Sequence, residues 1–277
     1  MLGGGHALEN AGHHIRRIPI VGNTLAKLSV PAVICSRRLI AAVHGLVNGV
    51  ISTIEGIAYG LSAALSRSGN GLKACAVGKF GIAWHEIKAA AVLVLRFPFD
   101  AALMATATTI STIQTTLFLE HMGRRLSCRE VSMLKHVFGN SVDYSAVTIK
   151  EGFAGVASTS DRAFVTGNTI YMKDIKDSDG YLVHEMTHVW QHQHRGTDYM
   201  IDALIAQHSA LGYDWTKSAP HTPWDNLNPE QQAQLLEDAQ SAGYFSGDHP
   251  FVVESESGER VDYTNYLNDA LSNLRAS

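Results

Sequence analysis

The sequence predicts an α+β chain that is mostly helical, with a small β-sheet confined to its second half and an apolar all-α region ahead of it. Three observations point there. Long tracts of Ala, Val, Ile and Leu fill the first half; apolar residues at helical spacing surround two histidines near position 186; and short alternating segments between positions 147 and 172 are broken by a Gly-Asn turn signal. The chain has 277 residues, 45% of them hydrophobic and 17% charged, a composition that builds a core and argues against disorder.

Charge divides the chain. Up to Arg125 there are twelve Lys and Arg against five Asp and Glu, and after it ten against twenty-one. This asymmetry suggests two parts, residues 1–124 and 125–277. The basic residues of the first part are scattered among apolar tracts without aromatic interleaving, so no nucleic-acid partner is expected. Cys35, Cys75 and Cys128 have no metal-like spacing and read as reduced, buried thiols of a cytosolic product. No apolar run follows the first basic pair, Arg16-Arg17, so no secretory signal is expected; the chain is made in the cytoplasm, and any export uses another route.

In the first part, Ile40 to Leu65 carries only Glu55 as a charge, and Ala101 to Leu119 carries none. Ser, Thr and Gly dilute both tracts, which favours a helical bundle with inner helices apolar on most sides. Membrane contact through this region is the competing expectation. Arg96, Pro98 and Asp100 separate two apolar stretches as the tip of a helical hairpin would.

In the second part, Glu130 to Phe138 reads as a short helix ended by Gly139, and Val147 to Phe153 as a strand. Ala163 to Met172 reads as a hairpin turning at Gly167-Asn168. Thr169 to Met172 is expected to offer its edge to an extended substrate. The next helix takes its N-cap from Asp177, Ser178 or Asp179 and stops at Gly196. Another runs from Asp198 to Leu211, where His208 reads as a core-edge residue. Gly212 to Leu227, with Tyr213, Trp215, His221 and Trp224, reads as a polar-aromatic loop lining a cleft; Tyr213 and His221 are candidates to stabilise an oxyanion. Asn228 caps a helix that begins at Pro229 and closes at Gly243, and a short amphipathic helix from Tyr263 to Leu274 ends the chain.

The chemistry lies in Leu182-Val-His-Glu-Met-Thr-His-Val-Trp-Gln191. Residues four apart on a helix differ by about 40° in direction and about 6 Å in height, so His184 and His188 can reach one zinc ion from one face. Glu185, about 100° round, can touch a metal-bound water without being a ligand. Zinc held by three protein ligands lowers the pKa of such a water to about 7, and a neighbouring carboxylate can take its proton during attack on a peptide carbonyl.

The third ligand is less direct. His194 extends the motif, but glycine stands at position 191 in peptidases that use such a histidine, and here Gln191 lets the helix run on, which carries His194 about 9 Å past His188 and out of reach. His192 reads as a solvated helix-end residue. Glu230, in the first turn of the later helix, is favoured over Glu237 and Asp238, although it also complements the helix dipole.

Residues 182–193 and 228–238, together with Arg125-Leu-Ser-Cys-Arg-Glu-Val and Val137-Phe-Gly-Asn-Ser-Val-Asp-Tyr-Ser, resemble the zinc metallopeptidase domains attached to or delivered with bacterial type VI secretion spike and Rhs proteins. The likeness covers about residues 125–245. It implies a zincin-like fold, Zn2+ on His184, His188 and Glu230, and Glu185 as general base. It also implies a peptide or protein substrate, a secretion-spike partner, a cognate immunity protein, and delivery to a target cell, in its periplasm. The alternative of a different class is a membrane-inserting or spike-docking protein whose zinc site is structural or inactive, which a fourth protein ligand would mark.

Overall fold

The computed structural model describes residues 21–151, 163–172, 179–196, 198–207, 212–247, 249–254 and 258–276. Asp177, Ser178, His208 and the end of the strand expected to reach Phe153 lie outside the described residues.

Two long helices, α1 (Val21–Ala76) and α2 (Phe80–Thr116), form an antiparallel hairpin. Its tip is at residues 77–79, where Gly78 takes φ 73°, not at Arg96 to Asp100 as expected. Pro98 lies inside α2, and its missing N–H does not break a helix held along its length by α1. The helices approach closely at small residues: a Cβ on Gly49 would collide with the Thr108 side chain, and one on Gly71 would lie 2.8 Å from Ile87 Cγ1. The expectation of a bundle with apolar inner helices is corrected. Only 17% of the most apolar window of α1 and 18% of that of α2 is buried, because each helix meets its neighbour and the sheet on one side alone.

After the hairpin, Arg124 pairs with Glu130 and Glu151 and pins the chain to the start of α3 (Cys128–Phe138). Buried Glu130 would rise in pKa by desolvation, but Arg124 and the Ser127 cap outweigh this and bring it down to about 2. Ser127 and Glu130 make a reciprocal capping box, and Gly139 closes the helix at φ 59°. Ser127→Ala will destabilise the fold by about 1 kcal/mol, read as a shift of the urea midpoint at constant slope.

Three strands follow: β1 (Thr148–Glu151), β2 (Phe164–Thr166) and β3 (Thr169–Met172), in the order β1-β3-β2. β1 runs parallel to β3, and β2 antiparallel to it, with Ile149 and Val165 both in register with Ile170. These three residues enter the core. Alternation sends Thr148, Lys150, Thr166, Thr169 and Tyr171 to the other face, where they border the hairpin. Thr169 to Met172 is thus the central strand, with both edges taken, and cannot accept a substrate strand; β2 is the antiparallel edge.

Helix α4 (Asp179–Arg195) is buried from Leu182 to His192 and packs on α6 (Pro229–Ser241); α4 touches α1 directly, and α5 (Asp198–Gln207) packs on α4, α6 and α2. Gly196 ends α4 at φ 75°, lying so close to Gly56 of α1 that a Cβ there would meet its carbonyl at 2.5 Å. Trp215 and Trp224 are core residues rather than cleft lining: Trp215 packs on Phe251 and Tyr263, and Trp224 on Trp190. The acidic tail also has a structural task. A short ribbon of β4 (Val252–Glu254) and β5 (Arg260–Asp262) leads into α7 (Thr264–Ala276), whose Leu267, Leu271 and Leu274 complete the core under α4. The Trp190 indole donates to the Leu274 carbonyl, and Arg275 donates to the carbonyls of His136 and Val137. All three cysteines are exposed, against the expectation that they are buried.

Candidate metal centre

The site is made by two crossing helices. α4 supplies His184, Glu185 and His188; α6 supplies Glu230 from its first turn, where Asn228 caps the helix and Pro229 sets its first φ. Donor atoms of His184, His188 and Glu230 lie within 4.8 Å of one another, and all three residues are buried. His184 Nε2 is 3.2 Å and His188 Nε2 3.6 Å from Glu230 Oε2. Two donors about 2.1 Å from one tetrahedral zinc stand about 3.4 Å apart, so the cluster has the right size. The donor set also fits, being two imidazoles and a carboxylate.

His188 is held from behind by a hydrogen bond, and a carboxylate stands behind His184. His188 Nδ1 donates to Gln191 Oε1 at 2.8 Å, which leaves Nε2 facing Glu230 as the nitrogen that could take a metal. Gln191 in turn donates to the Pro229 carbonyl and to Gln232 Oε1, and Gln232 donates to the Trp224 carbonyl. Glu237 Oε2 lies 2.9 Å from His184 Nδ1. Gln191 therefore does the opposite of the turn-making glycine: it continues the helix and ties His188 to α6.

Charge around the site is that of a cation site. Burial alone would depress His184, but Glu230 and Glu237 outweigh it and raise its pKa to about 10. Burial pushes Glu230 up, yet the two histidines hold it well below the usual carboxylate range. Glu185 is different: burial raises its pKa against the pull of His184 and His188, and its Oε2 has no hydrogen-bond partner among the described residues. A raised carboxylate with one oxygen unengaged is suited to exchanging a proton with a bound water.

A metal on this group would need His184 neutral, and because Glu230 and Glu237 raise the His184 pKa, affinity for added metal is expected to rise with pH above 7. Glu237→Ala loses the group behind His184 and will weaken metal affinity by about 10–100-fold, measured by competition with a chelating dye.

The other candidates fall outside the cluster. His194 stacks on Trp190 and hydrogen-bonds the Trp190 carbonyl. Asp238 accepts from the Trp215 indole and from Gln234. His192 is not solvated: it is 1% exposed, and burial lowers its pKa to about 4. α5 covers it, with the Tyr199 ring 6.1 Å away. Tyr213 lies beside the site, its ring 6.0 Å from that of His184, whereas His221 is exposed in the preceding turns. Tyr199 escaped the sequence reading. Its ring lies 6.2 Å from His188 and its hydroxyl donates to the Val165 carbonyl of the edge strand, a role that no spacing from the motif announces.

No established protein-family profile matches the chain. It is 32% identical over 129 residues to the type VI secretion system spike protein VgrG2b of Pseudomonas aeruginosa, an alignment covering 42% of this chain and 13% of that protein. The chain thus spans a small part of the length of the relative it matches. Among solved structures, the effector domain of Pseudomonas aeruginosa VgrG2b is similar at 26% identity, with a TM-score of 0.35 over 52% of this chain and 88% of that one.

Proposed function

We propose that the chain is a zinc-dependent peptidase and an effector of a type VI secretion machine. The observation that carries the enzymatic reading is Glu185: a buried carboxylate with an unengaged oxygen, on the same helix as two histidines that close with Glu230 into a three-donor group. Among the described residues no fourth His, Cys, Asp or Glu joins that group, which favours a catalytic over a structural metal. The effector reading is supported by the 32% identity to a spike protein.

Zinc, when bound, supplies the Lewis acidity that polarises a peptide carbonyl and acidifies a water. The chain's residues do the rest. Gln191 and Glu237 hold the two imidazoles in position. Glu185 takes the proton of the attacking water and returns it to the leaving amine. Tyr213 stands beside His184 to stabilise the oxyanion. The helix carrying the histidines, packed beneath a small sheet with an antiparallel edge, agrees with a zincin-like plan for residues 125–277, with residues 1–124 as a separate functional part. Such an effector leaves the producing cell with a secretion spike, acts in the target cell's periplasm, and is neutralised in the producer by an immunity protein.

The test is cleavage of casein and a peptide library by the purified chain. Cleavage lost on chelation and restored by one equivalent of zinc is expected. Full activity after metal removal, or none in a fully zinc-loaded chain, would overturn the reading.

A further inference from the structure

We infer that the α1–α2 hairpin seats the protein on an anionic lipid bilayer, lying in the membrane plane with its outward apolar face among the lipids and the rest of the chain on the aqueous side. Toward the body the hairpin is held by polar contacts beside a buried Met104–Tyr199 pair. Lys150 of the sheet pairs with Glu120 at 2.8 Å and donates to Ser111 and Thr115; Arg96 pairs with Asp202 of α5 at 2.9 Å; and Asn168 donates to Ser52. A cavity of about 690 Å³ remains between hairpin and sheet.

Away from the body it is apolar. Leu39, Val43, Val50, Ile54, Leu61 and Leu65 are all exposed on α1 and fall within about 100° of one another around the helix. On α2 the exposed residues include Phe80, Trp84, Leu95 and Phe99. Both helices touch the body, α1 through Ser52 and Gly56 and α2 through Met104 and Ser111, so their free faces lie on the same side. An exposed apolar surface of this extent marks a site that something covers.

Charge identifies the cover. The close approaches Gly49–Thr108 and Gly71–Ile87 set residues 41–66 of α1 beside residues 91–116 of α2, a slab about 39 Å long. Of the charged side chains inside it, Arg96 is held by Asp202 and Asp100 is buried, and the exposed Glu55 lies off the apolar face, on the flank that lines a cleft with Asp143 and His194. Exposed cations gather at one end, with Lys73, Lys79 and Lys88, where Arg67 is paired with Glu86; at the other end Arg38 donates to the Thr115 and Glu120 carbonyls and Arg37 borders the cavity toward the sheet. An apolar plane with a cationic end suits acyl chains bordered by anionic headgroups. The hydroxyls within the slab suit it too. Thr53, Thr106, Thr109 and Thr112 each donate to the carbonyl four residues back, so none enters lipid unpaired.

The full chain provides its own probe. Trp84 is 70% exposed, whereas Trp190, Trp215 and Trp224 are buried in the body. Vesicles of phosphatidylethanolamine and phosphatidylglycerol should carry the protein in flotation, and lipids brominated near the headgroup end of the acyl chain should quench its fluorescence. Trp84→Phe should abolish the quenching and leave flotation intact. Changing Phe80, Trp84, Leu95 and Phe99 together to serine, all at exposed positions, should weaken vesicle partition at least about tenfold. Failure to float overturns the proposal, as does stronger quenching by bromines at the methyl end of the chain, which would mean that the hairpin crosses the bilayer. A stable dimer whose formation shields Trp84 and prevents flotation also overturns it, by making a second copy the cover. None of these readouts depends on zinc or on peptide cleavage.

Discussion

Glu185→Gln will bind zinc as the wild type does and will cleave peptides about 10²–10⁴-fold more slowly. The substitution keeps the shape of a side chain packed in the centre of α4 and removes only its capacity to accept a proton. Glu185 makes no ligand bond in the three-donor group, and its Oε2 holds no hydrogen bond whose loss would disturb the fold. The expected loss therefore falls on turnover, with the Michaelis constant little changed, because the proton is exchanged in the transition state and not on binding. The pH profile should shift as well. Burial raises the Glu185 pKa, so wild-type activity declines as pH falls through that raised value and the base becomes protonated; the residual activity of Glu185→Gln should lack this acidic limb.

His188→Ala will lose both metal and cleavage, and will do so without unfolding the body. The imidazole is one of three donors, and two remaining donors do not hold zinc tightly. Its removal also frees Gln191 Oε1, but the Gln191 amide keeps its bonds to the Pro229 carbonyl and to Gln232, which hold α4 on α6. Circular dichroism should thus remain close to that of the wild type while zinc drops to background. Tight zinc retained in this variant would mean that the metal sits elsewhere.

Much of the site could be read from the chain because its parts are local. His184, Glu185 and His188 are related by helix geometry alone, and the Asn228-Pro229 start places Glu230 in a first turn. The glycine stops at Gly139 and Gly196 are local in the same way, since each needs a left-handed φ. What resisted reading was set by distant segments. The pattern of Thr169 to Met172 announces a strand but not its rank in the sheet, which depends on the parallel return of β1. His192 is buried by α5, and Trp215 by a C-terminal ribbon that begins some forty residues later. The apolar first half showed helices but not which face each would cover, because a polar sheet face, rather than more helices, is their partner. Gln191 was visible as a departure from a known pattern, yet its use as the clamp on His188 needed α6 in place.

That Glu230 completes a zinc site with His184 and His188 is tested by the zinc content of purified wild type, Glu230→Ala and His194→Ala, measured by elemental analysis. One zinc per chain is expected in the wild type and in His194→Ala, since the wild-type His194 imidazole is engaged with the Trp190 carbonyl and not with the cluster, and none in Glu230→Ala. Zinc retained in Glu230→Ala, or lost in His194→Ala, would contradict it.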